Sequence, residues 1–266
     1  MRTALVVSYN GNSYHGWQAQ PNAIPTIQEE LTGAVSRVAD HPVRIICAGR
    51  TDAKVHATKQ VVHFDSEADR SETAWIRGVN TYLGSEIKVQ AAIRVPPHFD
   101  ARRSALSRRY LYLINNSEYP SSLMHHYLTQ EARKLDSNRM HLSGQSLLGE
   151  NDFSSFRAAN CQSLTPMRNL MNLSVSRWAD VVVIDVRANA FLQHMVRNIA
   201  GALIEVGAGK KEPDWLEGLL ALKDRTVGPK TAPPNGLFLV DVEYSESMGI
   251  PSGPNLPHFF QFYRPD

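Results

Sequence analysis

The chain has 266 residues, of which 42% are hydrophobic and 20% charged, and its formal net charge is +2. This composition is that of an ordinary globular protein, and so small a net charge does not by itself predict a polyanionic partner. The sequence shows neither a signal peptide nor an apolar run of membrane-spanning length, so we expect a soluble, intracellular protein. Cys47 and Cys161 fit no metal or redox spacing, which favours a reducing cytoplasm.

The first part of the chain predicts the order strand, helix, strand, strand, helix, strand. Strands are expected at residues 3–11, 43–48, 60–64 and 87–95, and helices at residues 25–40 and 71–83. Thr26 is the expected N-cap of the first helix, with Glu29 three residues later, and Ile27, Leu31 and Val35 recur on one helical face. This order is that of a ferredoxin-like split βαβ unit.

The second part of the chain repeats this order loosely. We expect a strand at 108–114, a helix at 130–147, a hairpin of strands 166–178 and 180–189, helices at 190–207 and 213–222, and a closing strand at 236–244. The predicted fold is therefore α+β, with halves at residues 1–104 and 105–246 and a proline-rich, aromatic tail at 247–266. The aromatic residues Phe259, Phe260, Phe262 and Tyr263 predict that this tail docks on its own chain or on a partner.

The segment AGRTDAKVHA, residues 48–57, is the first candidate for chemistry. Arg50 lies close to Asp52 in the sequence, and a nearby positive charge favours the ionised form of a carboxylate. An ionised carboxylate suits a nucleophile better than a general acid. A turn cap beside a surface arginine explains the same residues and is the stronger interpretation of this segment taken alone.

A basic cluster that the net charge conceals follows at residues 98–114. It contains Arg102, Arg103, Arg108 and Arg109. Tyr110 and Tyr112 come next at strand spacing, which places both on one face. Arginine side chains bind phosphates and tyrosine rings stack on bases, so the segment indicates nucleic-acid binding. A solvated linker leading into an edge strand explains it equally well.

Arg197 lies in the apolar helical pattern of residues 190–207, three residues after His194. A buried arginine is costly unless it is paired, so we expect an acidic partner, and Asp52 is a candidate. The alternative is an arginine that extends to water. The ten histidines match no metal-ligand pattern and no glycine-rich phosphate loop is present, so neither a metal nor a nucleotide cofactor is expected.

Six segments, in this order, resemble the tRNA pseudouridine synthase A family over about residues 3–245. They are YNGNSYHGWQAQP, AGRTDAKVHATKQ, FDARRSALSRRYLYLI, GENDFSSF, AFLQHMVRNIAGALIEVGAGK and APPNGLFLVDVEY. The resemblance implies two ferredoxin-like halves whose antiparallel sheets join, with the active-site cleft between them. It also implies a homodimer, without metal or organic cofactor, that binds the anticodon arm of tRNA and converts uridines at positions 38–40 to pseudouridine.

The resemblance also implies a role for individual residues. Asp52 matches the nucleophile that attacks a flipped-out uridine, and Arg50 matches the arginine that takes the place of the flipped base. Tyr110 matches the tyrosine that stacks on the uracil, and Arg197 matches the arginine that pairs with the nucleophilic carboxylate. Leu237 matches the leucine that lines the uracil pocket. The four arginines of the basic cluster would bind the tRNA backbone.

Two residues depart from the family pattern, because Lys54 and Lys59 stand where the family has glycine. If the φ angle there is positive, a lysine strains the loop; alternatively, both lysines contact phosphate. The departure keeps open a catalytically silent tRNA-binding protein on the same scaffold. A third hypothesis, a hydrolase that uses Asp52 with His56, leaves the basic cluster without a purpose.

Overall fold

The computed structural model describes residues 1–21 and 24–260. Contacts divide the described chain into two compact units: Met1–Ser107 with Phe238–His258, and Arg108–Leu237 with Phe259 and Phe260. Each unit combines helices with a mostly antiparallel sheet, so the predicted α+β class is confirmed. This division differs from the linear one expected at residues 104/105 and 246/247, since Phe238–His258 pack in the first unit.

The first unit has the predicted order of strands and helices. It contains β1 (Arg2–Tyr9), α1 (Ile27–Ala39), β2 (Ile46–Cys47), β3 (His56–Asp65), α2 (Glu72–Tyr82) and β4 (Ile87–Arg94). Strands β4, β1 and β3 are antiparallel neighbours, and β2 also pairs with β3. A late strand, Leu237–Glu243, which is β10 in chain order, runs parallel to β3 through Phe238 and Leu239.

Helix α1 begins where the sequence predicts. The side chain of Thr26 accepts a hydrogen bond from the backbone amide of Glu29 at 3.4 Å, so one amide of the first turn is satisfied. The apolar face of α1 is buried, with Leu31 fully inaccessible. In α2, Trp75 packs edge-on against Phe64 of β3 with ring centroids 5.0 Å apart. Burial of each such side chain contributes roughly 2 kcal/mol to stability.

The second unit contains a four-stranded antiparallel arrangement with helices. Its elements are β5 (Ser107–Asn115), β6 (Thr129–Gln130), α3 (Ser137–Gly144), β7 (Gly149–Asp152), β8 (Met167–Trp178), β9 (Val181–Ala188), α4 (Met195–Gly207) and α5 (Trp215–Leu222). The strand order is β5–β9–β8–β7, and β6 runs parallel to β5. The predicted hairpin of β8 and β9 is confirmed, with Ala179 at φ 49° in its turn.

Helix α3 is shorter than the predicted helix 130–147. It begins at Ser137 because the carboxylate of Asp136 accepts two backbone amides of the first turn, at 2.9 and 3.0 Å. An aspartate in this position is a strong helix start. Of the predicted helical residues before it, Gln130 lies in β6 and residues 131–136 form a loop.

Helix α4 is also shorter than predicted, at Met195–Gly207 instead of 190–207. His194 precedes it with φ 62°, a left-handed conformation that interrupts the helical path. Phe191 therefore lies in the loop before the helix, and its apolar spacing with the helix residues does not reflect a helical turn.

The described part of the tail docks on its own chain. Within the first unit, the backbone amide of Asn255 donates to the carbonyl of Val240 at 2.9 Å. Within the second, Phe260 is buried and its ring packs edge-on against Trp178. Phe262 and Tyr263, which the sequence also predicted to dock, lie outside the described residues. In the part of the chain that the structure describes, no helix has the length and apolar character needed to cross a membrane.

Candidate active site

The loop that carries Asp52 connects β2 with β3 and is called the Asp52 loop here (residues 48–55). Its backbone is fixed by the loop that follows β1. The amide of Trp17 donates to the carbonyl of Thr51 at 3.0 Å, and the amide of Lys54 donates to the carbonyl of Tyr14 at 3.3 Å. Thr51 is buried while Asp52 is partly exposed. Asp52 is therefore a partly exposed residue on a restrained backbone.

Two glycines allow the loop after β1 to lie directly on the Asp52 loop. A Cβ atom on Gly11 would lie 2.0 Å from the carbonyl oxygen of Val55, and one on Gly16 would lie 2.9 Å from the carbonyl oxygen of Thr51. Gly16 also has φ +96°, which disfavours a side chain. The YNGNSYHGW segment thus supports the Asp52 loop, a relation that the residues alone did not indicate.

Lys54 has the positive φ angle that the departure from the family pattern suggested, at 65°. A residue other than glycine in this conformation costs about 1 kcal/mol. The side chain is exposed, two residues from Asp52 along the chain. Lys54 thus combines a strained backbone with an accessible positive charge.

Lys59 is buried and does not reach the surface, where a phosphate contact would be made. Its side chain is almost fully buried, and its ammonium donates to the carboxylate of Asp241 at 2.6 Å and to the carbonyls of Pro251 and Gly253 at 2.7 and 2.6 Å. Three acceptors satisfy all three N–H donors of the ammonium. The prediction that Lys59 contacts phosphate is corrected accordingly: the residue joins β3 to β10 and the tail.

His56 is a packed residue of β3. It is 2% exposed, its Nδ1 accepts the amide of Gly11 at 3.2 Å, and its ring stacks on Phe238 with centroids 4.7 Å apart. This burial and hydrogen bonding explain the histidine structurally and disfavour its use as a general base with Asp52. The hydrolase hypothesis, which requires His56 to act with Asp52, is therefore disfavoured.

Arg102 and Arg103 are the exposed members of the basic cluster. Their backbone amides both donate to one carboxylate oxygen of Asp100, at 2.9 and 2.8 Å. Partial burial alone would raise the pKa of Asp100, but the amides of Arg103 and Arg102 stabilise the anion and the pKa is lowered overall. The turn therefore presents two guanidinium groups at the surface while an ionised aspartate holds its backbone.

Arg108 and Arg109 are instead engaged inside the second unit. Arg108 is buried and donates to the carbonyl of Asn189 at 2.8 Å. Arg109 holds the carboxylate of Asp185 through its Nε and Nη2 atoms, in a pair whose acid is almost fully buried. The Nε and Nη2 donors that a guanidinium uses to bind a phosphate are thus already bonded to a carboxylate.

The two tyrosines of β5 have different surroundings. Tyr110 is 7% exposed and packs edge-on against Phe191 with centroids 5.1 Å apart. Tyr112 is fully buried, and its hydroxyl bonds to Thr129 at 2.7 Å and to the carbonyl of Pro233 at 2.8 Å. Tyr112 is thus a core residue, and Tyr110 is the tyrosine whose ring retains a small accessible surface.

Arg197 of α4 and Leu237 at the start of β10 both bond to the backbone of residues 232–234. The Nε of Arg197 donates to the carbonyl of Ala232 at 2.8 Å, and the amide of Ala232 returns a bond to the carbonyl of Arg197 at 3.1 Å. Leu237 is buried, and its amide donates to Pro234 at 3.0 Å. The pairing of Arg197 with Asp52 stays a prediction.

Asn198 is a supporting residue that the sequence analysis did not single out. It is 1% exposed, and its amide group donates to the carbonyl of Phe156 at 2.7 Å. Its oxygen accepts from Thr231 at 2.7 Å and from Arg225 at 3.1 Å. An asparagine inside an apolar helical run was the available signal, since a buried amide requires partners.

Comparison with known proteins identifies the family of the chain. A family model described as tRNA pseudouridine synthase matches residues 5–102 and 144–245. Proteins named tRNA pseudouridine synthase A are similar over most of the chain. The protein from Vibrio campbellii is 51% identical over 97% of this chain and 98% of its own. The protein from Legionella pneumophila (strain Corby) is 53% identical over 94% of this chain and 95% of its own.

Matches of this extent define the class of protein. The chain belongs to the tRNA pseudouridine synthase family. It is accordingly an isomerase that converts uridine to pseudouridine in tRNA.

Proposed function

We propose that this enzyme acts on uridines on the 3′ side of the anticodon stem-loop and that Asp52 is its nucleophile. The observation that carries the proposal is the Asp52 loop itself. Asp52 is a partly exposed residue, and its backbone is held at Thr51 and Lys54 and supported by Gly16. Such restraint is what a nucleophile requires to meet a reacting atom in a fixed geometry.

The reaction conserves every atom of the nucleoside. The bond between the sugar C1′ and uracil N1 breaks, a bond between C1′ and uracil C5 forms, the C5 hydrogen leaves as a proton, and N1 takes up a proton. A uridine in a stem must first leave the base stack, which costs a few kcal/mol. The Asp52 carboxylate bonds to C1′ as the bond between C1′ and N1 breaks, and this ester bond breaks again when the turned base rejoins C1′ through C5.

The other residues of the proposed site hold the nucleotide. Arg50, exposed on the Asp52 loop, takes the place of the flipped base. Tyr110, supported by Phe191, stacks on the uracil, and Leu237 lines its pocket. Arg197 is the proposed partner of the Asp52 carboxylate, and its guanidinium would balance the charge of the nucleophile.

The exposed cations are the proposed contacts to the tRNA backbone. Arg102, Arg103 and Lys54 are exposed residues, and exposed cations of this kind can reach the phosphates of a bound tRNA. Arg108 and Arg109 are less suited to this role, because their guanidinium groups bind Asn189 and Asp185.

The finer features of fold and assembly are part of the same proposal. Each unit is a ferredoxin-like half, and the order of strands and helices in the first unit supports this assignment. We further propose a cytoplasmic homodimer. The two cysteines, which are both free thiols, agree with a reducing compartment. Light scattering after size exclusion should then give twice the chain mass of 29.7 kDa.

The decisive experiment follows tritium released from uracil C5 in labelled tRNA. The native chain should release tritium, since the C5 hydrogen leaves when the new bond forms. Asp52→Ala and Asp52→Asn should release none while tRNA binding, measured by filter retention, stays within about threefold of the native value. Near-normal turnover by either variant would show that Asp52 is not the nucleophile.

The position of the reaction is tested with altered substrates. Transcripts in which cytidine replaces each uridine on the 3′ side of the anticodon stem-loop should lose tritium release from that position alone. Continued release from a transcript without these uridines would overturn the proposed location. A chain that bound tRNA but released nothing from any transcript would revive the silent tRNA-binding alternative.

A further inference from the structure

Three buried side chains behind the Asp52 loop form one hydrogen-bonded group, which we call the Tyr9–Gln60–Thr51 clamp. The amide nitrogen of Gln60 donates to the carbonyl of Gly49 at 2.6 Å and contacts the hydroxyl of Tyr9 at 3.4 Å. The Tyr9 hydroxyl bonds to the hydroxyl of Thr51 at 2.8 Å. None of the three side chains of the clamp is more than 8% exposed.

The clamp fixes the chain on both sides of Arg50. Gly49 is held through its carbonyl by Gln60, and Thr51 is held through its side chain by Tyr9. The carbonyl of Thr51 also accepts the amide of Trp17, so this residue is restrained at side chain and backbone. Asp52 follows directly, and the direction of its side chain depends on the peptide plane that Thr51 sets.

One atom of the clamp is poorly satisfied. The side-chain oxygen of Gln60 is buried and has no hydrogen-bond partner among the described residues. A buried acceptor without a donor is unfavourable, and an apolar side chain of similar length would avoid the penalty. What glutamine supplies at this position is the pair of bonds from its nitrogen to Gly49 and Tyr9, which an apolar side chain could not make.

We propose that Tyr9, Gln60 and Thr51 are positioning residues for the isomerisation, and that they act by fixing the direction in which Asp52 presents its carboxylate. The inference rests on the proposed role of Asp52 as the nucleophile. The clamp residues do not touch the substrate in this account. Their effect is on the rate of the covalent step, because a small displacement of a reacting group slows a reaction strongly while binding of the remote tRNA body is unchanged.

The test uses a pair of substitutions at Thr51 that differ in one hydroxyl. Thr51→Val removes the hydroxyl at constant shape, and Thr51→Ser keeps it. Tyr9→Phe removes the other partner of the same bond while the ring contact with Trp17 is kept. Single-turnover tritium release and tRNA affinity are measured for each variant, for the Tyr9→Phe/Thr51→Val double variant and for Asp52→Asn, with thermal unfolding as the check on folding.

The expected result is a loss of rate without a loss of binding. Thr51→Val and Tyr9→Phe should each lower kcat by roughly tenfold, with KM for tRNA within about twofold, and Thr51→Ser should stay near the native rate. The double variant should be no slower than the slower single variant, since both remove one bond.

Each contrary result has a separate meaning. Full kcat in Thr51→Val and Tyr9→Phe, together with an inactive Asp52→Asn, would overturn the clamp and leave the nucleophile standing. A loss confined to KM, or one that follows the thermal midpoint through all variants, would also overturn the clamp in favour of a structural role. Tritium release by Asp52→Asn would overturn both proposals.

Discussion

At the scale of single residues, Lys54 is expected to lower the stability of the fold through its backbone conformation and to strengthen tRNA binding through its charge. Its φ angle of 65° is a conformation in which glycine carries no penalty. We expect Lys54→Gly to raise the free energy of unfolding by about 0.5 kcal/mol, because relief of strain exceeds the greater freedom of glycine in the unfolded chain. The same change should weaken tRNA binding, since it removes an exposed charge. Urea denaturation and filter binding measure the two effects.

Asparagine at this position is a second test of the charge, with a side chain still present. Asparagine tolerates the left-handed conformation better than lysine and carries no charge. Lys54→Asn should therefore weaken tRNA binding as much as Lys54→Gly does. Native tRNA affinity in both variants would show that Lys54 does not contact phosphate.

His63 makes stability depend on pH through its burial. Desolvation lowers its pKa below the ordinary value of 6.5, and the nearby Asp100 only partly opposes this effect. Above pH 6.5 the ring is neutral in both folded and unfolded chains. As the pH falls below about 6.5, the unfolded chain binds the proton first, so the free energy of unfolding decreases until the pH passes the folded-state pKa.

The variant His63→Asn tests this linkage. The Nδ1 atom of His63 accepts the amide of Ala101 at 3.0 Å, and an asparagine oxygen can take the same position without titrating. Urea unfolding at about pH 7.5 and 5.5 should show a smaller loss of stability for the variant than for the native chain. An equal loss in the two proteins would assign the pH dependence to other groups.

At the scale of elements, the buried ammonium of Lys59 connects β3 to β10 and the tail. Removal of one partner from a buried ion pair leaves the other charge uncompensated, so Lys59→Met should lower the free energy of unfolding by about 3 kcal/mol. The carbonyls of Pro251 and Gly253 also lose their donor. Protease cleavage within residues 244–258 should accelerate, and mass spectrometry of the fragments measures it.

A second substitution identifies the charge as the cause. In Lys59→Met/Asp241→Asn the uncompensated carboxylate is gone, so the double variant should lose less stability than the sum of the two single variants. Additive losses would mean that Lys59 and Asp241 do not act as a pair. The measurement is urea unfolding of all four proteins at one pH.

The predicted ends of the helices agree with the structure where a local sequence pattern sets them, and differ elsewhere. Helix α1 was predicted closely because Thr26 and Glu29 form a local capping pattern, and local patterns are visible in the sequence. Helices α3 and α4 were predicted too long. The start of α4 depends on the left-handed backbone of His194, which apolar spacing does not reveal.

In the candidate site, too, features set by neighbouring residues were predicted from the sequence, and contacts between residues distant in the sequence were not. The positive φ angle at Lys54 was foreseen from a glycine-to-lysine departure in one short motif. The capture of Lys59 by Asp241 was not, because the two residues are 182 positions apart and only the pairing of β3 with β10 brings them together. Asn198 was missed for a similar reason, since its partners lie in two distant loops.

At the scale of the whole molecule, the small net charge hides an uneven distribution of cations. Several arginines form ion pairs within the chain. Arg109 pairs with Asp185, and Arg133 pairs with Glu131 and Glu205. Affinity for tRNA then depends on the fewer cations that remain at the surface. Overall charge is consequently a poor guide to the partner, and the exposure of individual arginines is a better one.

The exposed pair Arg102 and Arg103 gives the last prediction. If both contact phosphate, binding releases counterions, and each lost contact makes the plot of log affinity against log salt shallower by about one. Arg102→Gln/Arg103→Gln should therefore flatten this slope by about two and keep the native kcat at saturating tRNA, because neither residue reaches the uridine. Arg77→Gln, at an exposed arginine on α2, is the matched control and should leave the slope unchanged. An unchanged slope in the double variant would remove this turn from the tRNA interface, whereas a fall in kcat would place it at the reacting nucleotide.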